Sequence, residues 1–217
     1  MGLNLRCTKL LVILLLIAST SRLLFSQFVF ADTGILDSEE ANTLKEIARK
    51  IGKNDWDFGK YDPCSGEGQW NASDESAHFE SIVDCKCNES SCHVVSISLK
   101  AQNLSGAIPP EFSKLNHLKK LTLNLNILNG SIPDQWASMQ LVDLSIMGNR
   151  LSGPFPTVLT NITTLLSLTI EGNLFSGPIP PDIGNHLSSN AFTGELPVEL
   201  SELKNLTDLQ AFASLSS

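Results

Sequence analysis

One eight-residue phrase recurs along the chain and limits its possible folds more than any other feature. It runs as two variable residues, Leu or Phe, a small polar residue, Gly, a variable residue, an apolar residue and Pro. Copies begin at Gln102, Asn126, Asn149, Asn173 and Asn190, spaced 24, 23, 24 and 17 residues apart. An L-x-x-L-x-L run precedes each of the first four: Val94/Ile97/Leu99, Leu118/Leu121/Leu123, Leu141/Leu144/Ile146 and Leu165/Leu168/Ile170. Further apolar positions follow the phrase: Phe112 and Leu115, Trp136 and Met139, Leu159 and Ile162, Leu200 and Leu203. A single unit of this length cannot bury its apolar face, so units must stack, and about three or more are needed for stability.

Within a unit, x-L-x-L-x predicts a short strand with alternate side chains pointing inward. The Asn that follows turns the chain, and its amide can bond donors and acceptors of neighbouring backbone; Asn126, Asn149, Asn173 and Asn190 are therefore read as a stacked ladder. The L-S-G-x-I-P segment predicts a second extended turn, with Gly for permissive torsions and Pro where a hydrogen-bond ladder stops. Period and pattern are those of leucine-rich repeats, and the L-S-G-x-I-P variant resembles the plant-specific class over roughly residues 94–209. The fold expected from that resemblance is an α/β-type solenoid. It is a horseshoe segment with short parallel strands on its concave face, preceded by a helical, disulfide-bonded N-terminal cap.

Three regions follow along the chain. Residues 1–31 read as a secretory signal: Arg6 and Lys9 precede the apolar run Leu10 to Ala18, and Val29-Phe30-Ala31 offers small residues at a cleavage site. An uncleaved anchor over residues 10–31 is the competing reading, which Arg22 in its middle disfavours. Residues 32–93 form the cap and 94–217 the repeats, about five, one shortened near 184–187 and the last incomplete. Removing 1–31 takes three basic residues and no acid, moving the net charge from −8 to −11. That balance argues against nucleic-acid or anionic-lipid partners. No later stretch is long and apolar enough to span a membrane, and the expected location is extracellular.

Cys7 leaves with the signal, so Cys64, Cys85, Cys87 and Cys92 remain, an even number in an exported chain. Four cysteines allow three pairings, among which the sequence does not choose. Cys85–Cys87 would close a small strained ring; Cys64–Cys85 with Cys87–Cys92 is preferred. The zinc alternative, Cys-x-Cys-x4-Cys-His ending at His93, has unusual spacing for a structural site.

Ahead of the repeats, residues 37–52 predict one amphipathic helix. Asp37 caps it, Glu40 stands at capping-box spacing, Gly52 stops it, and Ala41, Leu44, Ile47, Ala48 and Ile51 form its apolar face. Trp56, Asp62-Pro63-Cys64, Trp70 and Val83-Asp84-Cys85 follow. This order, with the wording DPCSGEGQW, CHVVSISLKAQNLSGAIPPEFSKL and MGNRLSGPFPTVLTNIT, resembles plant leucine-rich repeat receptor-like serine/threonine kinases. The likeness is to the subfamily whose ectodomain also carries a malectin-like domain. The resemblance implies an ectodomain fragment or short form, ending before the malectin, transmembrane and kinase parts, whose partner is a protein or peptide ligand or a co-receptor ectodomain.

The sequence contains no P-loop, kinase glycine loop, H-R-D or G-x-S-x-G, so no enzyme activity and no cofactor are expected. His78, His93, His117 and His186 read as scattered surface or loop residues. The candidate binding face is the outward side of the strands: Ser96, Ser98, Lys100, Lys119, Lys120, Thr122, Asn124, Asp143, Ser145, Met147, Ser167, Thr169 and Glu171. It is basic in the early coils and acidic later, a distribution able to steer a peptide or protein surface. Six N-x-S/T sequons, at Asn71, Asn88, Asn103, Asn129, Asn161 and Asn205, predict glycans on accessible loops. A stand-alone secreted protein, acting as a decoy or as an inhibitor of a wall-degrading enzyme, is the alternative function; a poorly folded truncated product is another. The short spacing from Asn173 to Asn190 predicts well-formed coils to about Pro180 and a disturbed register beyond.

Overall fold

A computed structural model describes residues 35–88, 90–178 and 191–193. The expected signal segment 1–31, Asn190, Asn205 and the tail after Thr193 lie outside the described residues. Among the described residues the elements are one α-helix, α1 (Ser38–Ile51), short 3-10 turns and eleven strands. In chain order these are β1 (Asn71–Asp74), β2 (Phe79–Cys87), β3 (Cys92–Lys100), β4 (Ser105–Ala107), β5 (Lys120–Thr122) and β6 (Ile127–Gly130). The rest are β7 (Asp143–Ser145), β8 (Arg150–Gly153), β9 (Ser167–Thr169), β10 (Leu174–Pro178) and β11 (Ala191–Thr193).

The strands form two sheets. The first, in order β1-β2-β3-β5-β7-β9, takes its parallel part from the L-x-L strands of four successive coils. Ile97, Leu121, Leu144 and Leu168 fall in one register row, and all four are buried. The second sheet, β4-β6-β8-β10-β11, is built from the repeated phrase itself. The phrase was expected as an extended turn; stacking pairs those turns into a continuous parallel sheet, which no isolated copy could reveal.

Its register is constant. Ser105 pairs with Ile127, Asn129 with Arg150, Ser152 with Leu174, and Ser176 with Ala191. In every case the fourth residue of one phrase meets the second residue of the next. The last pair spans the shortened spacing, 17 residues in place of 24, so the missing stretch leaves the second-sheet register unchanged. Among the described residues the first sheet ends at β9, one coil earlier. The phrase glycines Gly106, Gly130, Gly153 and Gly177 all have left-handed φ, from 78 to 98°, which a Cβ would strain.

Asparagine amides join the two sheets. Asn126 Oδ1 accepts from the backbone N–H of Gln102 (3.0 Å) and Leu104 (3.1 Å), while its Nδ2 donates to the carbonyls of Leu99 (2.7 Å) and Leu123 (3.0 Å). Asn149 repeats this with Leu128 N–H and the Leu123 and Ile146 carbonyls, and Asn173 with Leu151 N–H and the Ile146 and Ile170 carbonyls. All three are buried. Each satisfies backbone groups that neither sheet reaches and that would otherwise be stranded away from water.

On the far side of the first three coils runs a 3-10 turn: Pro110–Lys114, Asp134–Ser138 and Thr157–Asn161. Phe112, Trp136 and Leu159 enter the core from these turns, with Phe112 and Trp136 edge to face at 5.9 Å between ring centroids. Phe112, Leu115, Trp136, Met139, Leu159 and Ile162, picked out by spacing, are all buried. Leu200 and Leu203 lie outside the described residues.

The cap holds the other end. Asp37 Oδ1 accepts from the N–H groups of Glu39 and Glu40, and Gly52 closes α1 at φ 74°. Leu44, Ile47 and Ile51 are fully buried. Trp56 stacks on Trp70 at 4.6 Å, with Phe58 edge-on to both. The disulfides are Cys64–Cys85 and Cys87–Cys92, so the zinc arrangement over these cysteines does not form. Two features differ from expectation. Antiparallel strands β1 and β2 extend the first sheet beyond β3 and cover an edge that would otherwise present unpaired backbone groups. Glu40 makes no capping box: Asp37 N–H donates to the Cys92 carbonyl instead, and the Glu40 carboxylate turns inward against β3.

Candidate functional site

The outward residues of the first sheet form ordered rows, because a parallel in-register sheet puts equivalent positions side by side. One row runs Ser96, Lys120, Asp143, Ser167; the next runs Ser98, Thr122, Ser145, Thr169. Both are at least partly exposed, and the buried leucine row lies between them. Strand alternation alone produces this, since residues flanking an inward Leu point to the other face. Lys120 Nζ lies 3.4 Å from Asp143 Oδ2, so the basic-to-acidic change meets within one row.

The remaining candidates are arranged less uniformly. Asn124 Oδ1 accepts from Ser145 Oγ (2.8 Å) and Met147 N–H (3.0 Å), so its side chain is spent on holding two coils together. Lys119 is not in the rows. It precedes β5, and its Nζ donates to the Gln140 carbonyl (3.2 Å); adjacent strand residues cannot share a face with Lys120. Ser98 Oγ donates to Glu80 Oε2 (2.5 Å), and Lys100 Nζ lies 3.9 Å from Glu80 Oε1. Glu80, on β2, thus belongs to the surface although nothing in the repeat pattern points to it. A shallow recess beside it, about 260 Å³, is lined by Ser73, Asp74, Glu75, His78, Glu80 and Lys100. Met147 and Glu171 continue beyond β7 and β9, where the carbonyls of both residues accept from the coil before.

The asparagines divide by exposure. Asn71, Asn88, Asn103, Asn129 and Asn161, all in sequons, are exposed, whereas the bridging asparagines, none in a sequon, are buried. Asn129 and Asn161 lie on β6 and on a far-side turn, away from the rows of the first sheet.

Charged contacts also tie the cap to the first coil. Lys50 Nζ pairs with Glu111 Oε1 at 2.5 Å, and Lys114 Nζ with Glu46 Oε2 at 3.1 Å. Partial burial draws the Glu111 carboxyl upward, but the Lys50 hydrogen bond and charge outweigh it and hold the group below the ordinary glutamate value. Two histidines that seemed scattered in sequence, His93 and His117, lie with ring centroids 4.1 Å apart, tilted by 31°, beside Glu40. Among the described residues no helix is long and apolar enough to cross a membrane.

No family model matches the chain. Curated relatives do. A probable leucine-rich repeat receptor-like serine/threonine-protein kinase of Arabidopsis thaliana is 54% identical over 136 residues, covering 60% of this chain and 13% of the kinase. A second kinase of the same description and organism is 42% identical over 131 residues, covering 59% of this chain and 12% of its own length. The chain thus spans about an eighth of the length of these relatives.

Solved structures agree on the fold. The leucine-rich repeat ectodomain of the receptor kinase SOBIR1 superposes with TM-score 0.63 at 23% identity, over 83% of this chain and 94% of that one. The HAESA ectodomain, solved with a peptide hormone, gives 0.65 at 23%, over 81% and 29%. The BIR3–SERK2 complex gives 0.55 at 27%, over 73% and 86%. All three are from Arabidopsis thaliana. In sequence, over about 60% of its length, the chain is similar to plant leucine-rich repeat receptor-like serine/threonine kinases, and its fold is that of leucine-rich repeat ectodomains.

Proposed function

We propose that the chain is an extracellular recognition module of the receptor-kinase type, binding a peptide or a co-receptor ectodomain across the outward rows of its first sheet. The carrying observation is the pair of in-register rows, Ser96-Lys120-Asp143-Ser167 and Ser98-Thr122-Ser145-Thr169. They offer hydroxyls and opposite charges on a rigid backbone, which is how an extended ligand is held by spaced polar contacts with little ordering cost. The HAESA ectodomain with its peptide hormone and the BIR3–SERK2 complex support both partner classes. Export through a cleaved signal at 1–31 and glycans at Asn71, Asn88, Asn103, Asn129, Asn161 and Asn205 belong to the same reading. So does kinship with the subfamily that adds a malectin-like domain. No kinase motif occurs in the sequence, and catalysis is no part of the proposal.

Surface plasmon resonance of the glycosylated chain against extracellular peptides and co-receptor ectodomains tests this. A binder should lose about tenfold or more in affinity to the variant Lys120→Ala/Asp143→Ala/Thr169→Ala. Binders indifferent to that triple change, yet weakened by substitution of the far-side turns, would overturn it.

A further inference from the structure

Three segments far apart in sequence bring one carboxylate and two imidazoles together. Glu40 sits in the first turn of α1, His93 follows the Cys87–Cys92 disulfide on β3, and His117 lies in the loop before β5. His93 Nδ1 is 2.9 Å and His117 Nδ1 3.4 Å from the same atom, Glu40 Oε1. One donor atom from each of the three residues lies within 4.8 Å of the others. The second oxygen, Oε2, is occupied by Val94 N–H at 2.7 Å, which fixes the carboxylate and leaves Oε1 directed at both rings.

Zinc bonds to imidazole nitrogen and carboxylate oxygen are about 2.0–2.2 Å long, which separates two tetrahedral ligands by roughly 3.3 Å. The two nitrogen–oxygen distances bracket that value. Two imidazoles and one carboxylate form a recurrent three-residue zinc donor set that leaves a fourth position for water. The outer contact such ligands need is also present: His93 Nε2 lies 3.4 Å from Ser91 Oγ, a partner able to fix the ring's tautomer and orientation. The Glu40 side chain is 8% exposed and that of His117 55%, so the carboxylate is held in the protein while solvent reaches the cluster from the His117 side.

We propose that Glu40 Oε1, His93 Nδ1 and His117 Nδ1 form a zinc-binding site that clamps the N-terminal cap onto the first two coils. The ion neutralises the single carboxylate and replaces two imidazole hydrogen bonds on one oxygen with three coordinate bonds. The donors come from helix, strand and loop at the junction that covers the end of the repeats, so the bound ion cross-links three segments distant in sequence. It is separate from the recognition rows on the outward face of the first sheet.

Isothermal titration of zinc chloride into the full, disulfide-intact chain in metal-free buffer tests the proposal, with unfolding midpoints measured alongside. One zinc per chain is expected. His117→Ala, a change at a half-exposed position, should weaken binding at least about tenfold, since losing even an outer-shell partner costs about 10–100-fold. Glu40→Gln should do the same while keeping an oxygen for Val94 N–H, and His78→Ala, outside the cluster, should bind as the parent does. At about a hundredfold excess over Kd, zinc should raise the midpoint of the parent by about 5–10 °C and that of His117→Ala by far less. No zinc binding by the folded parent, or binding undiminished by His117→Ala, would overturn the proposal.

Discussion

The two sheets of this chain are made from the same repeat but from different parts of it. Across the shortened spacing the second sheet continues, with Ser176 on Ala191 in the register of every earlier pair. Among the described residues, the first sheet stops at β9. The register of the second sheet is therefore indifferent to the spacing between phrases, while the strands of the first sheet are built from the L-x-x-L-x-L runs. The seven residues missing between Asn173 and Asn190 are read from the sequence as the last far-side apolar position and the start of such a run. A solenoid of this kind separates its tasks: the phrase and its asparagine form the spine, and the strands of the first sheet display the variable surface.

Breaking the spine should cost most. Asn149→Ala strands Leu128 N–H and takes one of two amide donors from each of the Leu123 and Ile146 carbonyls, for a loss of about 3–5 kcal/mol in urea unfolding, from roughly 1–3 for the stranded group and about 1 for each further hydrogen bond. Releasing the cap comes next. Cys64→Ser/Cys85→Ser opens a bridge spanning 21 residues and should cost about 2–4 kcal/mol by the same assay. A conformational probe is smaller. Gly148 holds φ 69° just before Asn149, and an added Cβ would stand 2.8 Å from Leu125 Cδ2, so Gly148→Ala should cost about 1–2 kcal/mol. Acting on the displayed surface should cost least. Lys120→Ala removes an exposed pair with Asp143 and should change stability by under about 1 kcal/mol, while altering the association rate of any charged ligand. A large destabilisation by Lys120→Ala, or none by Asn149→Ala, would reverse the assignment of the two sheets.

Most of this architecture was legible in the sequence because repetition multiplies a weak local signal. The inward strand positions need no tertiary knowledge: Ile97, Leu121, Leu144 and Leu168 announce a buried row by spacing alone. The helix 37–52 was equally plain from its cap and apolar face, and α1 spans Ser38–Ile51. What escaped were features with no periodicity to amplify them. β1 and β2 come from a polar, once-occurring stretch whose only instruction is the exposed edge of β3. The Glu40 carboxylate stood at capping-box spacing, but β3 offered it a backbone N–H and an imidazole, and long-range partners prevailed over the local one. His93 and His117 are separated by one repeat, and neighbouring coils set such residues side by side; that spacing was the available signal. Within the candidate face, the rows follow from alternation, whereas the diversion of Asn124 and Lys119 into contacts between coils depends on side-chain reach that a pattern does not encode.

Amide hydrogen exchange of the full chain, resolved to single residues across both sheets, tests the division between spine and surface most directly. The phrase register should hold through β11, across the shortened spacing. Slowed exchange among Ala191–Thr193, by at least about tenfold over an unstructured peptide and alongside protected β10, is the predicted result. Exchange of Ala191–Thr193 at the unstructured rate while Leu174–Pro178 stays protected would contradict it, since the second sheet would then stop at β10.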